Sequence, residues 1–127
     1  MANLPLYDHP DDVPAPLGRE AMRFEAVSVQ PYADNRRVKL LVKFPPFVDR
    51  PSVDAWVVNA DGQVVASMSL IEAMEQDFDF TLHLRGPEPR GEHVLHLALF
   101  YLPDDQRPDV KQIVDRREIP FTIQSPY

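Results

Sequence analysis

The sequence predicts an all-β sandwich, and three observations carry that expectation. Seven short apolar segments, several of them alternating, recur along 127 residues with turn residues between them, and no stretch has the 3.6-residue period of an amphipathic helix. Fourteen prolines against four glycines argue against long helices, because proline lacks the N–H that a helix interior needs. The third observation is the stretch from Gly91 to Leu102, apolar almost throughout, with a turn-rich segment before it and Pro103 after it. Its length suits a strand buried on one face and mostly covered on the other, a central strand about which the others are arranged.

The chain reads in order as follows. Residues 1–18 carry Pro5, Pro10, Pro14 and Pro16 among Asp8, Asp11 and Asp12, without periodicity, and form an extended or disordered arm that Leu4, Leu6, Tyr7 and Leu17 can anchor. Residues 19–127 form one domain, a size at which a core needs no disulfide or metal staple. The first strand spans Met22 to Gln30, and Pro31 stops it. Tyr32 to Arg36 is a turn. The second strand, Arg37 to Phe44, points Val38, Leu40, Val42 and Phe44 inward and Arg37, Lys39 and Lys43 outward, with Leu41 the exception. Pro45 and Pro46 end it, since neither can donate to a ladder.

The third strand, Val53 to Asn59, leads into the hairpin turn Asn59-Ala60-Asp61-Gly62, where glycine accepts the positive φ of a type I turn with a bulge. A fourth strand covers Gln63 to Met68. Ser69 and Glu72 then match a capping box, which predicts one helical turn over 70–75; the alternative is that Met68 to Ile71 continues the strand. The fifth strand, Asp77 to Leu84, faces Phe78, Phe80, Leu82 and Leu84 inward and Asp77 and Asp79 outward. The last strand runs from about Val110 to Ile123 and is either long or broken near Asp115 to Arg117. The expected core is Val38, Leu40, Val42, Phe78, Phe80, Leu82, Leu95, Leu97, Ile119 and Phe121.

Gly91-Glu92-His93-Val94-Leu95-His96-Leu97 resembles the start of strand F in immunoglobulin-like and fibronectin type III-like domains. Trp56 is placed like the strand C tryptophan of that superfamily, and Asn59 to Ala66 is similar to the C–C′ hairpin of bacterial immunoglobulin-like modules. The resemblance covers about Met22 to Ile123. It implies a seven-stranded antiparallel immunoglobulin-like sandwich with at most one short helical turn, near 70–75. It puts Trp56 in the core, His93 at the corner-tyrosine position, and Leu40 and Leu95 where a cysteine pair is usual. It also makes the strands holding Arg37, Lys39 and Lys43 and holding Asp77 and Asp79 antiparallel neighbours. Lys43 should then lie closest to Asp77 or Asp79, and Arg37 nearest His83.

Composition narrows the function classes. A formal charge of −7 disfavours a nucleic-acid partner. No run of eighteen apolar residues predicts a membrane span, no signal peptide is seen at the N-terminus, and cysteine is absent; the expectation is a soluble, cytoplasmic protein. His93 and His96 fall on opposite faces of a strand and cannot chelate one ion, so no metal and no cofactor are expected. The loop carrying Asp104, Asp105 and Asp109 matches no calcium pattern. No nucleophile elbow, phosphate loop or catalytic carboxylate arrangement is present, so no enzyme activity is expected.

What remains is a non-catalytic interaction or accessory module that binds another protein. Under the resemblance, three loops meet at one pole. They carry the candidate contact residues Phe47, Asp49 and Arg50; Glu72 and Glu75; and Asp104, Asp105 and Arg107. The N-terminal arm enters at that pole. An uncharged, proline-free edge at residues 63–68 makes a homodimer through it, or its covering by residues 1–18, the second expectation. Two other classes stay open: a carbohydrate-binding module, for which Tyr32, Trp56 and Tyr101 are the rings to place, and a small hydrolytic enzyme.

Overall fold

The structure, a computed structural model, describes residues 15–86, 89–102 and 111–124. Seven strands form two antiparallel sheets: β1 (Ala26–Pro31), β2 (Arg37–Lys43), β3 (Ser52–Val58), β4 (Val64–Leu70), β5 (Asp77–His83), β6 (Gly91–Tyr101) and β7 (Gln112–Ile123). One sheet has the order β1-β2-β5 and the other β4-β3-β6-β7. The chain is an antiparallel β-sandwich. β6 is an interior strand, paired with β3 on one side and β7 on the other, as its near-continuous apolar sequence requires.

The inner faces close on one core. Val38, Leu40, Val42, Leu82, Leu95 and Leu97 are buried as expected, with Phe24, Phe44, Val53, Ala55, Val57, Leu99 and Tyr101 beside them. Phe78, Ile119 and Phe121 are only half-buried against this core, and Phe80 is half-buried with its ring on Phe78. All four lie on edge strands. There the facing sheet covers one flank of a side chain and leaves the other open.

The β2–β5 pairing has the expected register: Lys43 faces Asp77, Leu41 faces Asp79, and Arg37 faces His83. The Lys39 ammonium is 3.7 Å from Asp79. Lys43 turns to Glu25 at 3.3 Å, and the Arg37 guanidinium binds Asp34 at 2.7 Å and lies over the Tyr32 ring. Solvent screens such exposed pairs, so each contributes little. They mark topology more than they stabilise, and they give the basic cluster a structural role.

Three expectations are corrected. No helical turn forms over 70–75. The Ser69 hydroxyl donates to Asp54 across the sheet at 2.6 Å, and Glu72, at φ 51°, donates its N–H to Ser52 Oγ at 2.9 Å, so the capping groups have other partners. Among the described residues the one helical element is a 3-10 turn at Arg19–Ala21. Second, the first strand is shorter than Met22–Gln30. Phe24 crosses to β7 instead, donating its N–H to Asp115 at 2.9 Å and accepting from Arg117 at 3.0 Å. Third, Trp56 is not in the core. Ala55 and Val57 point inward, so alternation sends the indole to the outer face of the four-stranded sheet, stacked on His96 at 5.3 Å.

The last strand is long rather than broken. Leu99 pairs with Asp115 and Phe100 with Ile113, so Val114 is the extra residue of a bulge. The hairpin turn is as expected. Gly62 has φ 84° and donates to the Asn59 carbonyl, while Asn59 Oδ1 accepts from the N–H of Asp61 and of Gln63. Among the described residues no helix is long and apolar enough to cross a membrane.

Candidate interaction pole

The ends of β2, β4 and β6 and the starts of β3, β5 and β7 gather at one pole, and the loops between them build its surface. Loop 44–51 is tied down on both sides. The Phe44 N–H donates to the Gln76 carbonyl at 2.7 Å, and Ala73 N–H to the Pro51 carbonyl at 2.8 Å, joining this loop to 71–76. Leu17 donates to the Pro46 carbonyl and accepts from Val48, so the segment preceding the domain enters at this pole. The rest of the arm, residues 1–14, lies outside the described residues.

Asp49 is the hub. Its carboxylate receives Arg19 Nε at 3.2 Å, and its carbonyl accepts the Tyr101 hydroxyl at 3.2 Å, while the Arg19 guanidinium sits over the Tyr101 ring. Tyr101 is buried at the end of β6. Burial foremost, and then the Asp49 charge, push its phenol up to about 12, with Arg19 opposing. The neutral form is favoured by the fold. This contribution is therefore complete below the ordinary phenol value of about 10 and is lost as pH rises through about 12. An absorbance titration of tyrosinate should show one phenol ionising last, and Tyr101→Phe should remove that phase; an unchanged titration would contradict the buried placement.

The sequence-derived contact residues separate on inspection. Arg50, Glu72 and Glu75 are exposed at the pole, and Asp49 is half-buried. Phe47 is half-buried rather than presented, its ring edge-on to Phe44 at 6.2 Å. Asp104, Asp105 and Arg107 lie outside the described residues. What the sequence reading missed is apolar. Among the described residues, the exposed large apolar side chains are Val48, Val64, Ile71, Met74, Leu102 and Ile113. All but Val64 stand at or beside this pole, and Met74 and Val48 are 77% and 67% exposed. Nothing in the local sequence distinguishes them from core residues.

The outer face of the four-stranded sheet is a second surface. In register across the strands lie Ser67, Trp56, His96 and Glu118, with the His96 ring 3.4 Å from the Glu118 carboxylate. One face of the indole is taken by His96; the small Ser67 stands on the other side. In the next row Asp54 receives Lys111 at 2.6 Å and the Ser69 hydroxyl. Desolvation raises the Asp54 carboxyl, yet the hydrogen bonds and charge of Lys111 and Ser69 bring it below its ordinary value. Lys111 also covers the Phe100 ring, which accounts for burial on the outer side of β6. Tyr101 is buried and Tyr32 belongs to the other sheet, so the three rings weighed for carbohydrate share no plane.

No family model matches the chain, and no curated protein matches it. Among solved structures, a glycosyl hydrolase family 2 member from Bacteroides cellulosilyticus superposes with a TM-score of 0.50 at 15% identity, over 80% of this chain and 15% of its own. A β-glucuronidase from Ruminococcus gnavus, in complex with D-glucaro 1,5-lactone, superposes over 84% of this chain and 16% of its own, at 10% identity and a TM-score of 0.44. The chain thus spans about 15% of the length of the first of these. At such identity the likeness establishes the β-sandwich and nothing about activity.

Proposed function

We propose that the chain is a non-catalytic sandwich module that docks another protein through the loop pole. The observation that carries this reading is the gathering of Val48, Ile71, Met74, Leu102 and Ile113 at or beside one end. An apolar centre rimmed by Arg50, Glu72 and Glu75 has the composition of an interaction patch, whereas scattered single apolar residues need no explanation. A photo-crosslinking side chain at Met74, used in extract of the native host, should give one discrete adduct that Ile71→Glu abolishes. Adducts of equal yield from a crosslinker at Asp61, on the opposite pole, or adducts that survive Ile71→Glu, would overturn the reading.

A second reading is favoured by Trp56. A half-exposed indole with one free face, bordered by Ser67, Ser69, Asp54 and Glu118, is a surface on which a sugar ring can stack while its hydroxyls find polar partners. The solved neighbour being a glycosyl hydrolase agrees with this reading without carrying it. Here Trp56→Ala should abolish retention on polysaccharide gels with little change in melting temperature; unaltered retention, or none by the unmodified protein, would discount it.

Self-association through the β4 edge also belongs to this proposal. Arg85 occupies the Val64 and Val65 carbonyls, so the edge open to a second copy shifts from residues 63–68 to Ala66–Leu70. Light scattering should report a dimer that Ser67→Pro returns to monomer; a monomer at high concentration would end the idea.

A further inference from the structure

Two hollows adjoin at the β4–β5 connection. The first, of about 340 Å³, is apolar and lies among Leu70, Ile71, Ala73 and Met74. The second, of about 580 Å³, lies on the outer face of the three-stranded sheet. There Ser28, Leu41 and Asp79 stand in one row across the strands, and Ala26, Lys43 and Asp77 in the next. Leu41 is the residue that breaks the polar outward pattern of β2. Between the small side chains of β1 and the carboxylates of β5 it makes an apolar floor. Glu75 and Phe78 line both hollows, so the two form one groove around the connection.

The charge of the rim selects the occupant. Lys43 is turned to Glu25 and Lys39 to Asp79. Glu72, Glu75 and Asp77 are exposed and form no ion pair among the described residues, with Arg50 of the neighbouring loop or any other cation. Every lysine and arginine of the sequence except Arg107 is described, and Arg107 belongs to the β6–β7 connection of the other sheet. Residues 1–14 carry Asp8, Asp11 and Asp12 and neither lysine nor arginine. A second copy would bring the same carboxylates. Like charge disfavours both as occupants. The backbone under the carboxylates is already fastened. Glu72 donates its N–H to Ser52 Oγ at 2.9 Å, Ala73 donates to the Pro51 carbonyl at 2.8 Å, and the Gln76 carbonyl accepts from Phe44 at 2.7 Å. Docking then has little of this loop left to order.

We propose that this groove takes a basic segment of a partner protein. An apolar side chain of the segment lies beside Met74. Its lysine or arginine side chains lay their hydrocarbon stems on Leu41 and carry their cations to Glu75 and Asp77. The proposal rests on the docking reading above and names the chemistry of the partner.

Two octapeptides, capped at both ends, test it by fluorescence anisotropy. Both begin with two leucines; one continues with alternating serine and lysine, the other with alternating serine and glutamate. The lysine peptide should bind, less tightly as salt is added, and the glutamate peptide should not bind measurably. The double variant Glu75→Gln, Asp77→Asn should weaken the lysine peptide by about fivefold, two screened pairs' worth. The double variant Asp61→Asn, Glu92→Gln removes as much charge from the opposite pole and should leave binding unchanged. Equal weakening by the two doubles would reduce the effect to net charge and overturn the assignment. So would no binding of the lysine peptide, or equal binding of both peptides. In the purified protein, a Met74 crosslink that falls on a second copy or on residues 1–14 would give the groove to that occupant instead. The discrete adduct in extract tests the docking reading separately. If it forms and survives Glu75→Gln, Asp77→Asn, the pole docks a partner, but not through a basic segment.

Discussion

Phe44→Ala is expected to lower the free energy of unfolding by about 3–5 kcal/mol and the melting temperature by roughly 10–20 °C. The ring is fully buried and touches three others: Phe24 at 6.0 Å, Phe47 at 6.2 Å and Phe78 at 5.5 Å. Those partners belong to the N-terminal segment, the 44–51 loop and β5. Truncation removes the ring that touches all three. Each partner is held by its own backbone contacts, so the hole cannot close by a small shift. The Phe44 N–H and carbonyl are both bonded to Gln76, which fixes the position of the residue whatever its side chain. Phe47→Ala should cost less, because that ring is already half-exposed. Equal losses for the two variants, or an unchanged melting temperature for Phe44→Ala, would refute this account of the pole.

The sequence made some elements legible through strict chemistry. In β2 only Val38, Leu40 and Val42 can form a continuous apolar face, and two prolines fix where the strand must end. The Asn59–Gly62 turn was legible because an asparagine side chain and a glycine at positive φ do specific work there. The resemblance made β2 and β5 antiparallel neighbours, and the opposite charges on their outward faces agreed with that order. In the ladder Lys43 faces Asp77 and Arg37 faces His83 as expected, yet the ion pair between the two strands is Lys39–Asp79, while Lys43 and Arg37 turn their side chains to Glu25 and Asp34.

Other features were hidden for equally physical reasons. β3 places Ser52 and Asp54 on the face of Trp56, opposite Val53, Ala55 and Val57, but the resemblance to a strand C tryptophan outweighed that alternation and put the indole inside when a small alanine was the core residue. The capping pattern at Ser69 failed because Asp54, fifteen residues earlier in the chain, competes for the hydroxyl. Half-burial of Phe80, Ile119 and Phe121 follows from edge positions that only the sheet order reveals. The apolar tip of the pole was invisible because exposed and buried leucines, valines and isoleucines look alike in sequence. His93, at the corner-tyrosine position of the resemblance, is buried and bonds the carbonyl of Gly91 at the start of its own strand.

Leu97→Ala should cost about 3–5 kcal/mol, in the upper part of the range for buried leucines. That cost depends on whether the surroundings can collapse into the hole, and at Leu97 they cannot. The residue is at the middle of β6, fully buried, facing Ala55 on β3 and Arg117 on β7 in the two ladders that flank it. Hydrogen bonds on both sides hold the backbone in place, and Ala55 already contributes the smallest side chain in that row. Ile119 provides the comparison. It faces Leu95 from β7, an edge strand of its sheet, and is half-buried. Ile119→Ala should cost roughly half as much, since less surface is lost and an edge strand can move inward. Urea unfolding of both variants, with unchanged dependence on denaturant, measures the difference. If Leu97→Ala costs no more than Ile119→Ala, β6 is not the clamped centre of the sandwich, and the register that places its leucines inside is wrong.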